Sequence, residues 1–177
     1  MNPLTPIAPA SDKPDLYTQI NQQLAALLKG ESDLIANTAN AAALLYQFLP
    51  DVNWVGFYFS KGDELVLGPF QGKPACSRIN MGKGVCGTAA AKQQTLIVPD
   101  VTRFDGHIVC DAASRSEIVV PLLNWGRLVG VLDVDSPTPN RFDDDDAEGL
   151  EVIAAVLLSL LPTDHMPDLT DEPAVTP

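Results

Sequence analysis

Three cysteines, three carboxylates and two aromatic residues are the positions whose types and spacing could do chemistry. Cys76, Cys86 and Cys110 sit in PACSR, GVCGT and VCDAA, next to polar or glycine neighbours, whereas inert buried cysteine usually lies inside apolar runs. Reactive thiols and simple packing both remain open on that placement. A zinc site built from His107 and the three cysteines is disfavoured, because structural zinc sites use ligands paired two to four residues apart and these cysteines are 10 and 24 positions apart. His107 then reads as a loop histidine. Cys86 follows Gly82, Gly84 and Val85 and precedes the helix-forming GTAAA. That places it near a helix N-terminus, where free N–H groups and the dipole favour thiolate, or could instead hold a ligand carboxylate or phosphate. GKGVCG follows no clear long strand, so it is not a dinucleotide site.

Asp133 and Asp135 in VLDVDS lie two apart, on one face of a strand. Glu117 precedes IVVPLL, and a turn near Asn124 folds that run back beside LVGVLDV, bringing Glu117 close to the level of both aspartates. Three converging carboxylates repel and raise at least one pKa unless a cation lies among them. A ligand ammonium suits the place, with magnesium or calcium as the competing occupant. A carboxyl kept protonated there can serve as a general acid. Trp54 and Tyr58 share one strand face across Gly56. The pattern by itself favours core packing; the functional alternative is an aromatic wall for a small apolar group, with Gly56 leaving room between the rings.

The elements that must position these residues follow from periodicity. Leu16, Ile20, Leu24 and Leu27 form an amphipathic stripe that Gly30 ends. Ser32 or Asp33 caps a second helix carrying Leu34, Thr38, Leu45 and Phe48, before Pro50. NWVGFYF and LVLGPF, separated by KGDE, read as a hairpin, and IVVPLLNWGRLVGVLDVD as two strands joined at Asn124 to Arg127. MGKGVCGTAAA supplies an inserted helix, followed by the short run TLIVPD and the irregular VTRFDGHIVCDAASRSE. Asp143 to Asp146 open a last helix striped by Leu150, Ile153, Leu157 and Leu161, where the acidic run caps the helix rather than binding metal. The sum is an α+β domain with helices packed on an antiparallel sheet.

With 23 acidic and 11 basic residues in 177, the net charge of −12 argues against a nucleic-acid or anionic-membrane surface. Eight of the 15 prolines lie near the ends. Residues 1–14 and 163–177 are therefore expected as mobile tails around a folded domain of 15–162. No apolar run approaches a membrane span, and MNPLTPIAPASDKPD has no signal-peptide core, so a cytoplasmic protein is expected.

The strings NWVGFY, ELVLGPFQGKPAC, GKGVCGTAAA, VPDVTRFDGHIVCDAASRSEIVVPL and GVLDVDSP together resemble the free methionine-(R)-sulfoxide reductases, a family of stand-alone GAF-domain enzymes. The likeness spans most of residues 53–142 and includes all three cysteines. Asn80-Met81 departs from it, where the family pattern has proline and a bulky apolar residue. The resemblance implies a single GAF-like domain, with a central antiparallel sheet flanked by helices. It implies reduction of free methionine (R)-sulfoxide, with Cys110 as nucleophile, Cys76 closing the disulfide, Cys86 as helper or alternative partner, and Glu117 as the acid. It places substrate binding on Trp54, Tyr58, Glu117, Asp133 and Asp135, with no metal or organic cofactor, thioredoxin as reductant and a homodimer as assembly. A GAF-type small-ligand or redox sensor acting through a partner protein is the rival expectation.

Overall fold

The computed structural model describes residues 9–106 and 112–160. Cys110, His107, Leu161 and the expected tail 163–177 lie outside the described residues. The chain runs α1 (Lys13–Leu27), α2 (Leu34–Phe48), β1 (Trp54–Lys61), β2 (Glu64–Gly72), β3 (Arg78–Asn80), α3 (Gly84–Lys92), β4 (Leu96–Val98), β5 (Ser116–Asn124), β6 (Arg127–Ser136) and α4 (Asp144–Ser159). The strands form one antiparallel sheet in the order β3-β2-β1-β6-β5-β4.

Caps fix the helix boundaries. The Asp12 carboxylate accepts the Asp15 N–H and starts α1 at Lys13, so the first helix takes in two residues expected in the tail. Proline at Pro14 is no obstacle, because the first-turn N–H groups have no helical acceptor. Asp33, rather than Ser32, caps α2 by accepting the Ala36 N–H. The acidic run makes a reciprocal cap on α4: Asp143 accepts the Asp146 N–H and Asp146 accepts the Asp143 N–H. Asp146 is fully buried and also takes bonds from Lys13 Nζ at 2.6 Å, Arg141 Nη1 at 3.0 Å and the Tyr17 hydroxyl at 2.9 Å. Burial opposes the Lys13 charge, but Asp143 and Asp146 outweigh it and hold the Lys13 pKa above its ordinary value. This network ties α1 to the start of α4.

Strand alternation sorts the two faces of the sheet. Val55, Phe57, Ile118, Val120, Leu132 and Val134 pack with Ile20, Leu24, Leu45, Leu150 and Ile153 of α1, α2 and α4. Trp54, Tyr58, Val119 and Val131 face the opposite way, toward Val85, Cys86, Ala89 and Ala90 of α3. The β5–β6 turn has Trp125 at φ 51° and Gly126 at φ 79°, the two positive values that a two-residue turn matched to strand twist requires. No helix among the described residues is long and apolar enough to cross a membrane.

Candidate active site

Register brings the three carboxylates together. Asp135 pairs with Trp54 of β1 on one side and Glu117 of β5 on the other, and Asp133 pairs with Gly56 in the next row. Helix α3 covers this face and leaves a pocket lined by Trp54, Tyr58, Cys86, Glu117, Asp133 and Asp135, with Ser114, Lys83, Gly84 and Val85 also on its walls. The charged residues expected to meet from sequence do line one space.

Glu117 and Asp133 are each 6% exposed, and this burial is the main reason both carboxyls are hard to ionise. Asp133 rises to about 7. Glu117 is pushed well above its ordinary value, by burial first and then by the charges of Asp133 and Asp135. The hydrogen bond between them adds to the rise at Glu117 and opposes it at Asp133. Asp133 Oδ1 has no hydrogen-bond partner. A neutral acid beside an under-satisfied carboxylate can donate a proton and accept an ammonium in one pocket.

Cys86 overturns the thiolate expectation. It is in the first turn of α3, as expected, but it is buried, and burial with the nearby Asp133 and Glu117 pushes its thiol up. Loss of hydration and two adjacent carboxylates outweigh the helix terminus. Its Sγ donates to Glu117 Oε1 at 3.8 Å. Ligand atoms of Cys86, Glu117 and Asp133 lie within 4.8 Å of one another, a sulfur–oxygen set that could also meet a cation. Cys76 is disulfide-bonded and half-buried, whereas Cys86 is a free thiol. The disulfide takes Cys76 out of the zinc set.

Trp54 and Tyr58 are both buried and both face the pocket, so packing and wall are the same role here. Their rings stack with centroids 5.9 Å apart, and Phe70 of β2 also stacks with Trp54, at 5.4 Å. Gly56 does not leave a slot between the rings. The Trp54 ring itself lies over Gly56, where a Cβ would run into that ring and into Phe70 Cβ. The Trp54 indole N–H donates to the Lys73 carbonyl at 3.1 Å, which fixes the ring plane.

Sequence reasoning missed three contributors. Phe70 pairs with Gly56 across β1–β2, and an aromatic opposite a strand glycine is a signal that the two strings held. Ser114 accepts the Asn53 side-chain N–H at 3.1 Å, and the Asn53 backbone N–H donates to the Asp135 carbonyl at 3.0 Å. No sequence pattern announces that pairing, since it needs the register of β1 on β6.

The GAF domain model matches residues 23–158. A free methionine-R-sulfoxide reductase of Escherichia coli is 51% identical over 152 residues, covering 86% of this chain and 92% of that protein. The chain belongs to the free methionine-R-sulfoxide reductase family of GAF domains. A yeast member, from Saccharomyces cerevisiae, is 42% identical over 82% of this chain and 86% of its own. The free methionine-R-sulfoxide reductase of Neisseria meningitidis, solved with its substrate, superposes with a TM-score of 0.85 at 46% identity, covering 90% of this chain and 95% of that one. Membership in the reductase family bears out the α+β GAF fold.

Proposed function

We propose that the protein reduces free L-methionine (R)-sulfoxide to methionine, with Glu117 as acid, Cys110 as nucleophile and Cys76 as the thiol that closes the disulfide. The observation that carries the chemistry is the meeting of buried Glu117, Asp133 and Cys86 against an aromatic wall, where burial pushes the Glu117 carboxyl well above its ordinary value. The Cys110 thiolate attacks the sulfoxide sulfur while Glu117 supplies a proton to the sulfoxide oxygen, which is a poor leaving group otherwise. The oxygen passes to Cys110 as sulfenic acid, and methionine leaves with its sulfur reduced by two electrons. The Cys76 thiol then condenses with the sulfenic acid, releasing water and forming a disulfide that a dithiol such as thioredoxin reduces by exchange. Cys76 in a disulfide and Cys86 as a buried, protonated thiol support this division of labour. Cys86 acts by holding Glu117 in place.

Asp133 and Asp135 bind the substrate ammonium, and Trp54 with Tyr58 receives the S-methyl end. An amide nitrogen within a peptide cannot replace that ammonium and would leave buried carboxylates unpaired. A homodimer, thioredoxin as the physiological reductant and a cytoplasmic location belong to the same reading and rest on the family; light scattering and coupled assays with thioredoxin test the first two.

The decisive experiment is chiral chromatography of a mixture of R and S sulfoxides incubated with protein and dithiothreitol. Many turnovers that consume the R epimer alone are expected. Cys110→Ser should abolish turnover while leaving the circular-dichroism spectrum unchanged. Substantial turnover by that variant would reassign the nucleophile, and stoichiometric consumption by the wild type would favour a sensor.

A further inference from the structure

Cys86, Glu117 and Asp133 offer more than an ammonium can use. An ammonium is a donor and is served by carboxylate oxygens, whereas a thiol sulfur is a weak acceptor and adds little to its binding. Each of the three side chains presents a ligand atom, and these atoms all lie within 4.8 Å of one another. All three residues are buried and line one pocket. Cys86 Sγ and Glu117 Oε1 are 3.8 Å apart. A tetrahedral zinc with ordinary bond lengths sets sulfur and oxygen about 3.5 Å apart, so small side-chain rotations close the set on an ion.

A second observation points to a cation in the same space. Asp133 is 6% exposed, and its Oδ1 has no hydrogen-bond partner. A buried acceptor without a donor is costly until a donor or a cation meets it. Burial holds both carboxyls back from ionising, and at Glu117 the charges of Asp133 and Asp135 add to it. A doubly charged ion reverses that penalty. The donor set selects the metal: magnesium and calcium take shells of oxygen, and magnesium keeps its water, whereas one sulfur with two carboxylates in a buried pocket suits zinc. The remaining tetrahedral position falls to water or to Asp135, which lines the same pocket.

We propose that Cys86, Glu117 and Asp133 form a site for a thiophilic divalent cation, with zinc as the fitting ion, and that its occupancy shuts out the amino-acid substrate. Any proton on the thiol or on the two carboxyls leaves to solvent as the metal–ligand bonds form. The exclusion rests on the reading of the pocket as an amino-acid site. The metal is then an inhibitor rather than a cofactor, because it takes the place of the substrate ammonium and removes the acid proton of Glu117.

The test is a titration of Co²⁺, a spectroscopic stand-in for zinc, into the full chain with Cys76 in its disulfide, where Cys86 is a free thiol. One equivalent should bind with a thiolate-to-cobalt charge-transfer band, zinc should displace it, and magnesium at the same concentration should leave the spectrum unchanged. Cys86→Ser and Cys86→Ala should lose the band and weaken cobalt binding by roughly 100-fold, and Asp133→Asn should keep the band and weaken binding by roughly 10- to 100-fold. Circular dichroism checks that each variant is folded. No band, or a band that survives in both Cys86 variants, overturns the site. L-Methionine should compete with cobalt, and methionine that binds the metal-free protein yet leaves cobalt affinity unchanged overturns the exclusion. Failure of methionine to bind the metal-free protein counts against the amino-acid reading instead, with the cobalt band still deciding the metal site. Turnover of the R sulfoxide without metal is read separately, so the reductase function can stand while the metal site falls.

Discussion

Asp133→Asn should stabilise the unliganded protein at alkaline pH while removing its function. Asp133 is buried, one of its oxygens is unpartnered, and its pKa stands at about 7 against an ordinary 3.8. Between those two values the native state binds more protons than the unfolded chain, so stability falls as pH rises through that window. Below pH 3.8 the penalty is absent, and above about 7 it is complete. The interval from 3.8 to about 7 is roughly three units, and about 1.4 kcal/mol per unit makes the cost of the charge on the order of 4 kcal/mol. An asparagine carries no charge at any pH, but it disturbs the bonds with Glu117 and Cys86, a loss of about 1–3 kcal/mol. The variant should therefore be less stable than wild type near pH 4 and more stable near pH 9, by about 1–3 kcal/mol. Urea unfolding of both proteins at the two pH values, with all thiols kept reduced, measures the crossing. Added methionine should raise the wild-type midpoint at pH 9 and leave the variant's unmoved. Parallel pH curves for the two proteins would refute the reasoning, because Asp133 would then be ionised at no cost.

Asp135→Asn should raise KM for the free sulfoxide by about tenfold or more, the loss of one charge-assisted bond, and an unchanged KM would remove it from the ammonium site. Gly56→Ala should cost about 1–3 kcal/mol by overpacking and alter tryptophan fluorescence, because the new methyl displaces the Trp54 ring. Asp146→Ala should lower stability by about 3–5 kcal/mol, since it strands Arg141, 8% exposed in its side chain, without its buried partner. Thermal denaturation by circular dichroism reads the last effect, and a Tm unchanged within about a degree would contradict it.

Sequence by itself determined the elements and much of the site's composition. The leucine stripes, Asp33, the acidic cap of α4 and the Asn124–Arg127 turn are local devices, each acting within a few residues of where it stands. The pairing of Asp133 with Asp135 on one face follows from strand period alone, and counting from the turn brings Glu117 close to their level, but only the irregularity at Leu122/Leu123 sets Glu117 directly opposite Asp135. Three things waited for tertiary structure. The state of Cys86 depended on which face of α3 turned inward, and that side proved to hold two carboxylates rather than solvent. The fate of Gly56 depended on the Trp54 ring, whose direction is set by Phe70 and the Lys73 carbonyl from another strand and its loop. Ser114 and Asn53 met only because β1 and β5 each pair with β6 in one register. Local free-energy preferences are written along the chain and can be read there, whereas burial and cross-strand contact belong to pairs of distant residues and are decided when the sheet forms.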